Sequence, residues 1–181
     1  GEFLVAQGGE QYIAKLISSF SPKEILYAPG KEAWVDTMAD SGVSRFKLDD
    51  WIFTLDAAQS KLNKQFEVNN LKGFGIDGMN EATVAAGAIL YYLDQTQHFQ
   101  TAHISRISRV AENNFVWLDK FTIRNLELFG SNYGDGKTFV DVLDHTQTPM
   151  GARLLRRWVA FPLKNVADIV ARQEMVEAFF R

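Results

Sequence analysis

The sequence contains no cysteine, and only 4 of its 181 residues are proline. The absence of cysteine excludes both a disulfide framework and any zinc site built on thiolate ligands. No hydrophobic run approaches the roughly 18 to 20 residues that a membrane-spanning helix needs, and the first residues do not resemble a secretory signal. These absences favour an intracellular globular protein, and 46% hydrophobic residues are enough for a packed core.

Positive charge is also scarce, since 19 Lys and Arg face 22 Asp and Glu for a net charge of −3. The chain therefore has no overall basic field that would draw it onto DNA. The charge is unevenly spread: residues 1–104 carry 8 basic and 13 acidic side chains, whereas residues 105–181 carry 11 and 9. This division predicts two modules.

The first thirty residues alternate between strand and helix patterns. Residues 2–6 predict a strand, apolar residues at helical spacing over 12–20 predict a helix that Pro22 ends, and residues 24–27 predict a second strand. A strand, a helix and a strand in this order predict a βαβ unit with the two strands parallel.

Later segments show helix patterns with recognisable starts. An apolar stripe predicts a helix over 55–66, and Asn80 is the predicted N-cap of a helix over 81–97 that is rich in small residues. Thr148 followed by Pro149 predicts a helix start, with Leu154, Leu155 and Trp158 inward. Asn165 is the predicted cap of a last helix.

Two glycine motifs resemble nucleotide-binding loops but lack the required context. Residues 73–78 match G-x-G-x-x-G, yet a helix tail precedes them and Asp94 falls within the helix that follows, so we interpret them as a helix–helix connection. In Gly136-Lys137-Thr138 the first glycine of a P-loop is replaced by Ser131, which indicates a polar surface turn.

No catalytic constellation is recognisable. The histidines His98, His103 and His145 lack metal-ligand spacing and have no nucleophile partner in the pattern. Arg153, Arg156 and Arg157 share one helix face, which could bind phosphate or an acidic partner, although a solvated face paired with Asp141 and Asp144 is the commoner outcome.

Several runs follow one another in a distinctive order. They are GEF at 1–3, LNKQF at 62–66, GFGI at 73–76 leading into ATVAAGAILYYLDQTQ at 82–97, LDKFTIRNLEL at 118–128 and TFVDVLDHTQTPMGARLLRRWVAFPL at 138–163. Together these runs resemble the MutS family of bacterial DNA mismatch-repair proteins.

The resemblance implies an α/β connector domain over residues 1–103, similar to ribonuclease H but without its catalytic carboxylates and with an incomplete sheet that lacks the first strands. Residues 104–181 would begin a mainly α-helical core domain that leads to the lever helices. The charge division near residue 104 falls at the same boundary.

The resemblance also implies a chain that is not itself an enzyme and needs no cofactor, because the ATPase domain that uses ATP and Mg²⁺ lies downstream in the family. The expected role is to couple mismatch binding to the ATPase state and to offer a docking surface for MutL. Mismatched DNA and a second MutS copy are partners expected through the whole protein, in the bacterial cytoplasm at the nucleoid and without a membrane.

Gln59, Ser60 and Lys61, on the polar face of the 55–66 helix, are the candidate docking residues. The alternative function is weak nucleic-acid binding through the face of Arg153, Arg156 and Arg157 together with Arg124. Hydrolysis by the sheet ranks last, because it would need clustered carboxylates for two metal ions about 4 Å apart. The missing first strands would leave a sheet edge, which predicts self-association through the N-terminal strand.

Overall fold

The computed structural model describes residues 2–39, 42–96, 101–110, 114–116 and 118–180. The chain divides into two compact units. The first comprises residues 1–9 and 22–110, and the second comprises residues 10–21 and 111–181. The helix that follows the first strand thus belongs to the second unit.

Two small parallel sheets lie in the first unit. Strand β1 (Leu4–Val5) pairs with β4 (Ser108–Arg109), and β2 (Glu24–Tyr27) pairs with β3 (Ser44–Lys47), with Leu26 opposite Phe46. The predicted βαβ unit is therefore wrong, because neither early strand takes the other as its partner. The pattern located both strands, but pairing depends on residues about a hundred positions away for β1.

The helices of the first unit are α2 (Glu32–Met38), α3 (Leu55–Phe66) and α4 (Asn80–Gln95), with short 3-10 turns at Asp50–Phe53 and Lys72–Phe74. Helices α3 and α4 pack closely because Gly87 has no side chain. A Cβ built on Gly87 would lie 2.5 Å from both the Cα and the Cβ of Ala58. The small residues of α4 therefore serve packing, as the sequence predicts.

The start of α4 differs from the prediction. Its N-cap is Met79, which offers no side-chain hydrogen bond, so Asn80 is the first helical residue and the prediction that it caps the helix is wrong. Instead the side-chain oxygen of Gln7, in the segment after β1, accepts a hydrogen bond of 3.3 Å from the Ala82 amide. A distant residue thus satisfies one of the free amides that every helix start leaves.

Apolar side chains from β1, α3, α4 and the segment just before β4 form one core of the first unit. Its buried members include Phe3, Val5, Leu62, Leu90 and Ile107. A second cluster joins Leu48, Ile52 and Ala88 beneath the 3-10 turn at Asp50–Phe53. These two clusters fix α3 and α4 in place.

The second unit is helical. Its helices are α1 (Glu10–Phe20), α5 (Lys120–Asn125), α6 (Phe139–Leu143), α7 (Pro149–Ala160) and α8 (Val166–Ala178). Thr148 caps α7 and Asn165 caps α8 through their side chains, which confirms both predicted starts. Thr138 and Asp141 form a reciprocal capping box at α6.

Aromatic rings hold the described core of the second unit. The ring centroid of Phe161 lies 5.1 Å from that of Phe20 and 5.6 Å from that of Phe115. The prediction that Leu154 points inward is wrong, since 47% of its surface is exposed. The apolar stripe of α7 is therefore only partly covered.

Candidate functional site

Helix α3 turns one face to α4 and another to solvent. The Thr54 hydroxyl accepts a hydrogen bond of 3.4 Å from the Ala57 amide, which caps the first turn. Ala58 and Leu62 are both 0% exposed and form the buried stripe, whereas Gln59 and Ser60 are exposed. Two of the predicted docking residues thus stand on a helix whose opposite face is fixed by packing.

Lys61 behaves differently from its two neighbours. Its ammonium group forms an ion pair with Asp94 and lies 5.2 Å from the ring centroid of Tyr91, and its side chain is only 15% exposed. At about 100° per residue, Lys61 lies closer to the Leu62 stripe than Ser60 does. The expectation that Lys61 faces outward with the other two is therefore wrong, because its long side chain reaches α4.

Gln59 also borders a shallow polar groove of about 220 Å³ beside the loop that joins α3 to α4. Side-chain amides supply much of its wall, namely Asn63, Asn69, Asn70 and Asn80. No sequence pattern predicted this groove. The two asparagines at 69–70 indicate a loop, but only the packing of α3 against α4 brings the side-chain amides of the groove together.

The three arginines of α7 do not form one free cationic face. Arg153 is exposed, and Arg156 lies with its guanidinium 5.4 Å from the ring centroid of Phe129. Arg157 is half-buried and its charge helps to lower the pKa of Arg172, for which burial is the larger cause. Arg124 donates a hydrogen bond of 3.4 Å to Asn132. Arg153 is thus the member of the set best placed to meet a ligand.

Carboxylates near α7 are already engaged in local hydrogen bonds. A hydrogen bond from the Thr138 side chain is the main cause that lowers the pKa of Asp141, and one from Thr146 does the same for Asp144. Attraction to Arg156 lowers both pKa values further. The predicted pairing of these carboxylates with the arginines of α7 stays a prediction, because their hydrogen bonds within the described residues go to Thr138 and Thr146.

Both glycine motifs lie in connections, as predicted. The segment at 73–78 follows α3 and includes the end of the 3-10 turn, and Gly75 and Gly78 have φ values of +69° and +74° that glycine adopts without strain. At 136–138 the Gly136 amide donates to the Tyr133 carbonyl, and the Thr138 hydroxyl is occupied as the cap of α6. This turn does not fit a phosphate, because its hydroxyl and one amide already have partners.

Within the described residues, no three His, Asp or Glu side chains lie close enough together to hold a metal ion. His103 and His145 lie outside the helices and strands, while His98 and Gln97, at the expected end of α4, fall outside the described residues. In the part of the chain that the structure describes, no helix is long and apolar enough to cross a membrane.

These features define a class: an α/β domain joined to a helical domain, with its candidate sites on the outer faces of helices. Residues 1–105 match the family MutS domain II, and residues 121–181 match MutS domain III. The chain belongs to the MutS family of DNA mismatch-repair proteins, and its two matched regions are the connector and core domains.

Relatives named DNA mismatch repair protein MutS match along the entire chain. The protein of Parabacteroides distasonis is 50% identical over 181 residues, that of Phocaeicola vulgatus is 49% identical, and that of Bacteroides fragilis is 48% identical. In each case the match covers 100% of this chain and 21% of the relative. The chain thus spans about a fifth of the length of these curated relatives.

Proposed function

We propose that this chain couples mismatch binding to nucleotide state within a longer mismatch-repair protein, and that the exposed face of α3 docks MutL. One observation carries the docking proposal: helix α3 exposes Gln59 and Ser60 while its Ala58 and Leu62 are fully buried. A binding surface that is already fixed loses little conformational entropy when its partner binds.

Close packing around α4 supports the coupling half of the proposal. Gly87 of α4 rests against Ala58 of α3, and Gln7 of the segment after β1 holds the first turn of α4. Packed elements of this kind move as a body, so a displacement at one end reaches the other. Coupling needs such rigid contacts and no reactive group.

The proposal assigns the chemistry to other parts of the longer protein. There ATP and Mg²⁺ would be bound and hydrolysed, and mismatched DNA and a second copy would be engaged, in the bacterial cytoplasm at the nucleoid. The name of the relatives supports mismatch repair as the process. This chain would contribute the mechanical link and the docking face.

Biolayer interferometry of the 181-residue chain against purified MutL tests the docking proposal. We expect saturable binding, and we expect the double variant Gln59→Arg with Ser60→Arg to weaken it about tenfold, because new charges at the centre of an interface are poorly tolerated. Gln173→Arg is the matched control, since Gln173 is an exposed glutamine on α8. Arginine is a good helix former, so neither change should disturb folding.

Binding of MutL that is equal for the double variant and the control would contradict docking through α3. The same surface titrated with heteroduplex DNA addresses the alternative function. For that alternative the structure favours Arg153, which is exposed, over Arg156, which lies against Phe129. DNA affinity that falls steeply with salt and is lost in Arg153→Ala would move the function to α7.

A further inference from the structure

Two pairs of aromatic rings meet at the consecutive residues Tyr91 and Tyr92 of α4 and remain partly open to solvent. The ring centroid of Trp51 lies 5.3 Å from that of Tyr91, and the ring centroid of Phe46 lies 5.1 Å from that of Tyr92. Trp51 is 54% exposed and Phe46 is 44% exposed. We call Phe46, Trp51, Tyr91 and Tyr92 the aromatic patch. Exposed apolar clusters of this kind commonly mark interaction sites.

The backbone around Trp51 is well anchored. Ile52, the next residue, is 0% exposed, and the Thr54 hydroxyl donates a hydrogen bond of 2.9 Å to the Trp51 carbonyl. The turn therefore holds the indole outward while its neighbour is fixed in the core. A rigid, exposed tryptophan is the kind of side chain that contributes most to an interface.

The basic residues of β3 are turned away from the patch. Successive side chains of a strand point to opposite faces, so Arg45 and Lys47 lie on the face of β3 opposite to Phe46. There Arg45 pairs with Asp36 at 3.3 Å, and Lys47 pairs with Glu32 at 3.7 Å, both carboxylates lying on α2. The cations of β3 are thus neutralised on the far side of the sheet.

Carboxylates, by contrast, border the aromatic patch itself. Asp49 and Asp50 directly precede Trp51, are exposed, and form no ion pair within the described residues. Glu24 is exposed and accepts a hydrogen bond of 2.6 Å from the Tyr92 hydroxyl, which leaves its negative charge in place. The patch therefore combines aromatic faces with uncompensated negative charge.

One lysine of this unit already contacts an aromatic ring and a carboxylate together. The Lys61 ammonium lies 5.2 Å from the Tyr91 ring centroid and pairs with Asp94. An aromatic face and a carboxylate acting together bind a cation more strongly than either alone. Asp49 and Asp50 directly precede Trp51, whose ring packs on Tyr91, and no cation lies on the Trp51 ring among the described residues.

We propose that the aromatic patch and its carboxylates dock a basic peptide segment of a partner protein, with an arginine side chain stacked on Trp51 and paired with Asp49 or Asp50. Arginine suits both contacts, because its guanidinium stacks on aromatic rings and pairs with carboxylates. The negative charge disfavours nucleic acid as the occupant. This surface is distinct from the Gln59 and Ser60 face, and the proposal does not depend on MutL docking.

The test uses the full chain and a synthetic peptide of six Arg-Ser repeats, with six Asp-Ser repeats as the reverse-charge control. The indole N–H resonance of Trp51 in nitrogen-15 NMR spectra reports contact at the site, and fluorescence anisotropy of the labelled peptide gives the affinity. We expect the arginine peptide to shift the Trp51 resonance saturably and the aspartate peptide to leave it unchanged. Higher salt should weaken the binding.

Three variants make the test specific. We expect Trp51→Ala to weaken peptide binding about tenfold, and Asp49→Asn with Asp50→Asn to weaken it about fivefold without touching the core. Trp34→Ala is the matched control, because Trp34 on α2 is 41% exposed but lies on the helix whose carboxylates are paired. The double variant at Gln59 and Ser60 should bind the peptide normally.

Several results would overturn the proposal. They are no Trp51 shift with the arginine peptide, equal weakening by Trp51→Ala and Trp34→Ala, and a Trp51 resonance that moves on dilution of the chain alone. The last result would mean that a second copy covers the patch. Tighter binding of single-stranded DNA than of the arginine peptide would also overturn it.

Discussion

The helix pair α3–α4 and the helix pair α7–α8 are held in contrasting ways. In the first pair Ala58 and Leu62 are 0% exposed, and a glycine brings the two helices into backbone contact. In the second pair no residue of α8 is buried, and the adjoining Phe179 and Phe180 are 88% and 87% exposed. Hydrophobic packing stabilises the first pair, whereas a cation–π contact joins the second, in which the Arg172 guanidinium lies 4.4 Å from the Trp158 ring centroid.

This contrast explains where a docking surface is best placed. The energy of a packed helix is spread over contacts with the rest of the domain, so its exposed face keeps one shape. A helix that makes few buried contacts opens locally at low cost. The candidate docking face of α3 lies on the packed pair, and the exposed Arg153 of α7 lies on the pair with less burial.

The largest expected difference between the two pairs comes from truncating one side chain in each. Leu62→Ala removes a fully buried side chain and should lower the free energy of unfolding by about 3 kcal/mol. Phe180→Ala removes an 87% exposed ring and should change it by less than about 0.5 kcal/mol. Urea denaturation followed by circular dichroism measures both. Equal losses of unfolding free energy in the two variants would contradict the claim that the first helix pair is packed and the second is not.

Gly87→Ala sharpens the contrast by testing the close approach alone. The added Cβ would overlap Ala58, and the resulting strain should cost about 2 kcal/mol despite the better helix propensity of alanine. Gly73→Ala is the control, because a Cβ there meets nothing within 4 Å. The same denaturation experiment applies. A Gly87 variant as stable as the Gly73 variant would show that the two helices are not in contact.

The smallest expected effects are opposite responses to pH. The hydrogen bond from Tyr92 to Glu24 raises the pKa of the tyrosine, so its contribution to stability is complete below the unfolded pKa of about 10 and lost as pH rises through the folded value. Hydrogen bonds lower the pKa of Asp141 and Asp144, so their contribution is complete above about pH 3.9 and lost as pH falls through the folded values.

Amide chemical shifts recorded across pH separate these responses. Alkali should perturb the end of α4 near Tyr92, and acid should perturb the cap at Thr138 and the turn at Thr146. Tyr92→Phe should abolish the alkaline change at α4 and keep the acid one. Asp141→Asn should abolish the acid change at α6 and keep the alkaline one. An alkaline change near α4 that persists in Tyr92→Phe would refute the assignment.

The sequence predicted the elements whose signals are local. Thr148 with Pro149 and Asn165 mark the starts of α7 and α8, because a cap needs only an amide two or three residues away. The apolar stripe of α3 was equally readable. The short helix α2 and the strand β3 were missed. Every residue of β3, Ser44–Lys47, is exposed, so the strand has no buried face that an alternating apolar pattern would mark.

What the sequence could not predict depends on distant contacts. The pairing of β1 with Ser108–Arg109, the cap of α4 by Gln7 and the turning of Lys61 toward Asp94 all join residues more than 30 positions apart. Of the candidate site, the exposed Gln59 and Ser60 followed from helical periodicity. Self-association through β1 stays a prediction.

The central claim is that the packed pair α3–α4 carries the docking face and that α7–α8 does not. Hydrogen–deuterium exchange of the 181-residue chain, with and without MutL, tests it directly. The account predicts slower exchange of amides around Gln59 and Ser60 when MutL is present, and unchanged exchange in α7 and α8. Protection confined to α7, with none in α3, would contradict it.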